Sequence, residues 1–212
     1  MKILLTDAAT LKNNNDISAD CFKKFGELRV FEALSFNDLL KECVDADVIL
    51  CNKTPITAEV IKKAEKLKYV GLFATGYNNI DIEYARELGI TVCNAGSYST
   101  EAVAQHTFAL ILNHYGRIKE YDGFVKEGGW KTADVFSPFI YNMRELAGKT
   151  IGIVGYGSIG QKVAKIAKAF DMKVIACNRS EKEDEDVTFT DIATLVNQAD
   201  IVTVHCPLNE QS

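Results

Sequence analysis

The stretch TIGIVGYGSIGQKVAKIAKAF, residues 150–170, changes character twice. It opens on the apolar run Thr150–Val154, passes through Gly155, Gly157 and Gly160 at G-x-G-x-x-G spacing, and continues with apolar positions at helical period. The spacing alone is weak support, because a chain with 14 glycines can produce it by chance. The context makes it specific: a strand runs directly in, an amphipathic helix runs directly out, and a second strand, KVIAC at 173–177, follows. In such a turn Gly155 permits the tight bend, Gly157 lets the backbone approach a pyrophosphate, and Gly160 lets helix and strand pack closely. The N–H groups of Tyr156, Ser158 and Ile159 are then expected to face the phosphates, helped by the positive end of the helix dipole. A dinucleotide is the ligand this stretch predicts.

The end of the second strand should carry the group that meets the adenosine ribose. There the chain reads Asn178, Arg179, Ser180. A carboxylate at position 178 would repel the 2′-phosphate of NADP; an Asn does not. Arg179 can form a charge-assisted bond to that phosphate, worth roughly 1.5–3 kcal/mol. The acidic run EKEDED at 181–186 argues the other way, unless it is a solvated loop. The balance favours NADP over NAD.

Working outward, VTF (187–189), DIATLVNQA and IVTVHC (201–206) continue the strand–helix alternation, and PLNEQS reads as the loop that leaves the last strand. The N-terminal half alternates in the same way. KILLTD (2–7), LRVFE (28–32), DVILC (47–51), YVGLFA (69–74) and TVCN (91–94) read as strands. Helices begin at Ser35, in a capping-box pattern, at Thr57 and near Asp81. Continuous apolar strands separated by amphipathic helices predict parallel sheets covered on both faces. The fold class is therefore α/β, with two doubly wound parallel-sheet domains over residues 1–99 and 100–212. Between them, residues 101–115 are apolar on nearly every side, which predicts a helix buried around its circumference, and the aromatic-rich segment after it reads as irregular. Residues 100–140 are expected to form an interdomain helix and a dimerisation arm.

The chain's 212 residues are 47% hydrophobic and 25% charged, which suits a chain with a sizeable core. A net charge of -5 and the lack of a basic face argue against nucleic acid and anionic membrane as partners. No apolar run approaches membrane-spanning length, and MKILLTDAAT lacks the features of a secretory signal. The six cysteines form no CxxC pair and sit mostly in apolar runs, so they read as buried reduced thiols in a cytoplasmic protein, with no metal site.

The stretches CNKTPITAEVI, ATGYNNIDIEYARELGITVCN, YSTEAVAQHTFALIL, ELAGKTIGIVGYGSIGQKVAKIAKAF and IVTVHCPLNEQS resemble the D-isomer-specific 2-hydroxyacid dehydrogenases, most of all the glycerate dehydrogenase or hydroxypyruvate reductase branch. They run in the family's order from about residue 50 to the end. The resemblance implies a flavodoxin-like substrate domain, an incomplete Rossmann domain, and hydride transfer between NAD(P)H and a small 2-keto acid; the buried helix and aromatic segment of residues 100–140 lead to the expectation of a homodimer when full length. It implies that the N–H groups of Gly76 and Tyr77 grip the substrate carboxylate. Lys53, at a strand end where ligands of open α/β sheets collect, can attract that anion. Val103 matches the helix position that walls the nicotinamide, and Cys206 and Pro207 match the strand-end backbone flanking the adenosine.

Reduction of a keto acid needs a cation to polarise the carbonyl, an acid to protonate the alkoxide, and a carboxylate to orient that acid. The family's Arg, His and Glu all follow the HCPL strand, so no catalytic residue is expected in this chain. His106, His114 and His205 read as structural. The expectation is the front part of a longer dehydrogenase, inactive alone. The alternative is a dinucleotide-sensing binding protein on the same scaffold, like the superfamily's transcriptional co-repressors.

Overall fold

The computed structural model of the chain describes residues 1–12 and 16–207. The loop expected after the last strand therefore lies, from Leu208 onward, outside the described residues. The chain divides into two compact units, Met1–Tyr98 and Ser99–Ser212.

The first unit is a five-stranded parallel sheet of β1 (Lys2–Leu5), β2 (Glu27–Val30), β3 (Val48–Cys51), β4 (Tyr69–Leu72) and β5 (Thr91–Cys93), in the order β2-β1-β3-β4-β5. This is the flavodoxin-like order, with its switch point between β1 and β3. Side chains alternate between the two faces. Leu4, Ile49, Cys51, Val70 and Leu72 meet helices α1 (Phe36–Glu42), α2 (Ala58–Lys63) and α3 (Ile82–Glu87) in one core. Ile3, Leu5 and Leu50 face the other way, where a 3-10 segment, Ala19–Phe25, lays Phe22 over them. The α1 start matches its sequence signature: Ser35 is the cap, and its hydroxyl accepts from the Asp38 N–H at 3.2 Å.

The second unit is a four-stranded parallel sheet of β6 (Thr150–Val154), β7 (Lys173–Cys177), β8 (Thr188–Phe189) and β9 (Ile201–Val204), in the order β8-β7-β6-β9. Counted from β6 this is 3-2-1-4, the opening order of a Rossmann sheet, with the switch point between β6 and β9. Helix α7 (Ser158–Ala169) buries Gly160, Val163, Ala164 and Ala167, an i, i+3, i+4, i+7 stripe of small side chains that lets it lie close on β6. Helix α8 (Ile192–Gln198) is capped by Asp191, whose carboxylate accepts from the Thr194 N–H at 2.9 Å.

Within its own unit, helix α4 (Thr100–Gly116) buries one stripe. Ala104, Phe108 and Ile111 pack into the unit's core, whereas Leu110 is 60% exposed and His106 and His114 are exposed. One stripe is enough to seat α4 on α7, and the Phe108 ring stacks on Phe170 at 5.5 Å. The segment after α4 is not irregular throughout. It holds α5 (Ile118–Lys126) and α6 (Gly129–Thr132), separated from α4 by Arg117 at φ 51°. Ion pairs Arg117–Glu120 and Lys126–Asp122 support α5, a signal that Gly123 and the aromatic residues obscure. The cysteines also divide: Cys43 and Cys51 are buried, Cys177 and Cys206 half-buried, but Cys21 and Cys93 exposed, all six free. Among the described residues no helix is long and apolar enough to cross a membrane.

Candidate functional site

In the first unit, three strand ends are braced together at the switch point. Asp7, two residues past β1 and 4% exposed, accepts from three consecutive backbone N–H groups after β3: Asn52 at 2.9 Å, Lys53 at 2.6 Å and Thr54 at 2.9 Å. The buried Thr6 hydroxyl donates to the Thr54 hydroxyl at 2.8 Å. Asn79, past β4, donates its amide to the Thr54 carbonyl at 2.9 Å, and its own carbonyl accepts from Ile56 N–H at 2.8 Å. Nothing in the sequence reading singled out Asp7, Thr54 or Asn79. The available signal was an Asp directly after an apolar strand at a switch point, where a charge must find donors or stay in water.

On this brace sit the three residues predicted to meet an anion. The Lys53 backbone is pinned by Asp7 while its side chain is exposed, with no ion-pair partner among the described residues. Gly76 and Tyr77 lie past β4, and their N–H groups find no acceptor among the described residues. A Cβ at Gly76 would meet only Asn78 Oδ1, at 3.6 Å, so the backbone face there is open. One cation and two unsatisfied N–H groups on adjacent strand ends can hold a carboxylate. Beneath them, burial and then the nearby Asp7 push the Cys51 thiol up to about 12, so it is inert packing rather than a nucleophile.

In the second unit the three glycines have different surroundings. Gly155 has φ 94°, and a Cβ there would sit 2.7 Å from the His205 carbonyl carbon and 2.9 Å from the Cys206 nitrogen. A Cβ at Gly160 would sit 2.2 Å from the Gly155 carbonyl oxygen. Gly157 caps α7 at φ -85°, where any residue is comfortable, and a Cβ there would meet nothing within 4 Å. Sterics inside the chain account for the first two glycines and leave the third unexplained. Beside Gly157, the N–H groups of Ser158 and Ile159 find no acceptor among the described residues.

Tyr156 departs from expectation. Its N–H is not free for a phosphate, because it donates to Asn178 Oδ1 at 3.0 Å. Asn178 in turn is not free for the ribose: its Nδ2 is held by the Ser180 carbonyl at 2.9 Å and hydroxyl at 3.0 Å. A tight glycine turn presents the Tyr156 N–H to the neighbouring strand end, and a side-chain amide there satisfies it. Arg179 and Ser180 are exposed on the same loop. Cys206 is half-buried with its backbone against Gly155, and Pro207 is exposed. Val103 is half-buried in the first turn of α4, a turn joined to α7 by the Glu101–Lys162 ion pair at 2.7 Å.

Among the described residues none of the three histidines reaches a carboxylate. His205 is half-buried and shares a hydrogen bond with the Thr203 hydroxyl at 2.8 Å, and burial pushes its pKa down. It has the marks of a packed, neutral ring.

Known proteins match both units. Residues 108–212 match the family model for the NAD-binding domain of D-isomer-specific 2-hydroxyacid dehydrogenases. A hydroxypyruvate reductase of Blautia hydrogenotrophica is 36% identical over 214 residues, covering 98% of this chain and 66% of that protein. A glyoxylate reductase of Thermococcus litoralis is 39% identical over 180 residues, covering 82% of this chain and 54% of the relative. The structure superposes on an acyclic imino acid reductase solved with NADPH and D-Arg, with a TM-score of 0.84, 33% identity, and coverage of 100% of this chain and 67% of the other. The chain thus spans roughly half to two thirds of the length of the relatives it matches. With the motifs, both sheet orders and these matches in agreement, the chain belongs to the D-isomer-specific 2-hydroxyacid dehydrogenase family.

Proposed function

We propose that residues 100–212 bind NAD(P) on the glycine loop, that residues 1–99 bind a small 2-keto or 2-hydroxy acid at Lys53, Gly76 and Tyr77, and that the protein serves hydride transfer between the two. The substrate is of the glyoxylate, hydroxypyruvate or glycerate type. The dinucleotide supplies or accepts the hydride when bound. The chain's own groups orient the reactants: Ser158 and Ile159 N–H take the pyrophosphate, the Cys206–Pro207 backbone flanks the adenosine, and Val103 walls the nicotinamide. NADP is the favoured form, because a neutral Asn178 stands where a carboxylate would exclude a 2′-phosphate, with Arg179 and Ser180 beside it. We assign no catalytic acid or carbonyl-polarising cation to a residue of this chain.

The observation that carries the reading is Gly157, a glycine that no internal clash and no unusual φ requires, next to two unsatisfied N–H groups. Gly157→Asn tests it. Asn is a good helix cap at this φ, so stability should stay within about 0.5 kcal/mol of wild type. Dinucleotide affinity, read by calorimetric titration with NADPH and NADH, should fall at least about tenfold, since the side chain fills the approach path. Unchanged affinity would show that no dinucleotide uses this surface.

Lys53→Met tests the substrate end. Binding of glyoxylate, read from the Gly76 and Tyr77 amide shifts, should weaken by about tenfold, the value of one charge-assisted contact. The exposed Leu110, Phe136 and Phe139 support residues 100–140 as a dimerisation arm. A monomer of the full-length protein in sedimentation at micromolar concentration would exclude the homodimer. Six free thiols fit a cytoplasmic setting.

A further inference from the structure

We propose that Tyr156 and Lys168 are positioning residues for coenzyme preference, clasping the loop after β7 so that its carboxylates are kept from the 2′ position of the adenosine ribose. The proposal rests on the dinucleotide reading above and adds residues that reading does not use.

The loop between Cys177 and Thr188 carries Glu181, Glu183, Asp184, Glu185 and Asp186 against Arg179 and Lys182. Left alone, a segment so acidic would oppose a phosphate dianion more than a hydroxyl, and so oppose NADP more than NAD. Tyr156 holds both ends of it. At the start, its N–H donates to Asn178 Oδ1 at 3.0 Å; at the end, its phenol donates to Asp184 Oδ2 at 2.7 Å. The ring between them is 3% exposed and stands edge-on to Phe189 at 5.1 Å, so the side chain is fixed. Burial, followed by the Asp184 bond, pushes the phenol pKa up, which keeps it a donor.

Lys168, in the last turn of α7, completes the clasp. Its ammonium reaches Asp186 Oδ2 at 2.8 Å and Asp184 Oδ1 at 3.4 Å. Asp184 also accepts the Asp186 N–H at 3.1 Å, which folds the two acids back on themselves. Two of the five carboxylates are thereby bound to a cation on α7. Because Tyr156 belongs to the glycine loop itself, the loop that meets the phosphates and the loop that meets the ribose are tied together by one residue, through its backbone N–H and its phenol.

The test is a comparison of NADPH and NADH dissociation constants on the chain, at low and at moderate salt. Lys168→Met should weaken NADPH about fivefold and NADH less than about twofold, with the difference shrinking as salt screens it. Adding Asp184→Asn and Asp186→Asn to Lys168→Met should restore the original ratio, which a merely structural role for the lysine would not do. Tyr156→Phe keeps the ring and the N–H bond, and should shift the ratio the same way as Lys168→Met. An unchanged ratio in Lys168→Met and Tyr156→Phe, with both coenzymes still bound, overturns this proposal and leaves the dinucleotide reading intact. A wild-type chain that binds neither coenzyme overturns both.

Discussion

Gly160→Ala should abolish dinucleotide binding and take a large part of the second unit's stability with it. The added Cβ would lie 2.2 Å from the Gly155 carbonyl oxygen and 3.2 Å from Ile153 Cγ2. The first of these is backbone and cannot swing aside. Gly155 is itself held at φ 94°, with the His205 backbone 2.7 Å from where its own Cβ would be. Relief must come from α7 lifting off β6, which opens the contact of Val163, Ala164 and Ala167 with the core. Overpacking of this kind costs about 3 kcal/mol, the upper end of its usual range. The same movement carries the Ser158 and Ile159 N–H groups away from their aim, so affinity should drop by roughly two orders of magnitude or more. Gly152→Ala is the control. Its Cβ would meet Leu195 Cδ2 at 2.5 Å, a clash with a side chain of α8 and not with α7 or the glycine loop. It should lower stability in urea while leaving NADPH binding largely in place. Binding by Gly160→Ala within a factor of about two of wild type would show that the loop is not built around this contact.

The three glycines also show what a sequence can and cannot reveal. Their spacing and the strand–helix context located the turn and both sheets, because apolar period and glycine placement are local properties of the chain. Elements with their own caps, such as the helices after Ser35 and Asp191, were legible for the same reason. The division of labour among the glycines was not, since whether a Cβ is crowded depends on His205 and Cys206, some 50 positions downstream. Tyr156 illustrates the same limit in the site. A residue between two loop glycines reads as a phosphate donor, yet its N–H is spent on Asn178 and its hydroxyl on Asp184. Both partners follow β7, and no spacing rule announces them. The helix after Arg117 was hidden by an opposite effect: glycine and aromatic content outweighed two short-range ion pairs, which carry only a few tenths of a kcal/mol each.

Asp7→Asn should destabilise the first unit by on the order of 4 kcal/mol, the second of the two largest effects expected. The carboxylate offers only acceptors, and three backbone donors use them, from Asn52, Lys53 and Thr54. An amide of the same shape replaces one acceptor with a donor, so whichever way it turns, an NH2 group faces at least one N–H. Thr54 is 8% exposed and Thr6 fully buried, which leaves little room for water to take over. Each donor left unsatisfied costs about 1–3 kcal/mol, against a total stability of about 5–15 kcal/mol for an ordinary domain. The loss should appear as a lower urea midpoint for the first unit and as faster amide exchange at Asn52, Lys53 and Thr54. Thr54→Val, which removes the hydroxyl partner of Thr6 and keeps the side chain's shape, should cost about 1 kcal/mol. The functional consequence follows from Asn79, whose amide ties the Thr54 carbonyl to the loop carrying Gly76 and Tyr77. When Asp7 no longer sets the Asn52–Thr54 backbone, both halves of the anion site lose their reference, so glyoxylate binding should weaken in Asp7→Asn beyond the effect of Lys53→Met alone. Glyoxylate binding unchanged in folded Asp7→Asn would mean that Asp7 holds the fold without holding the site.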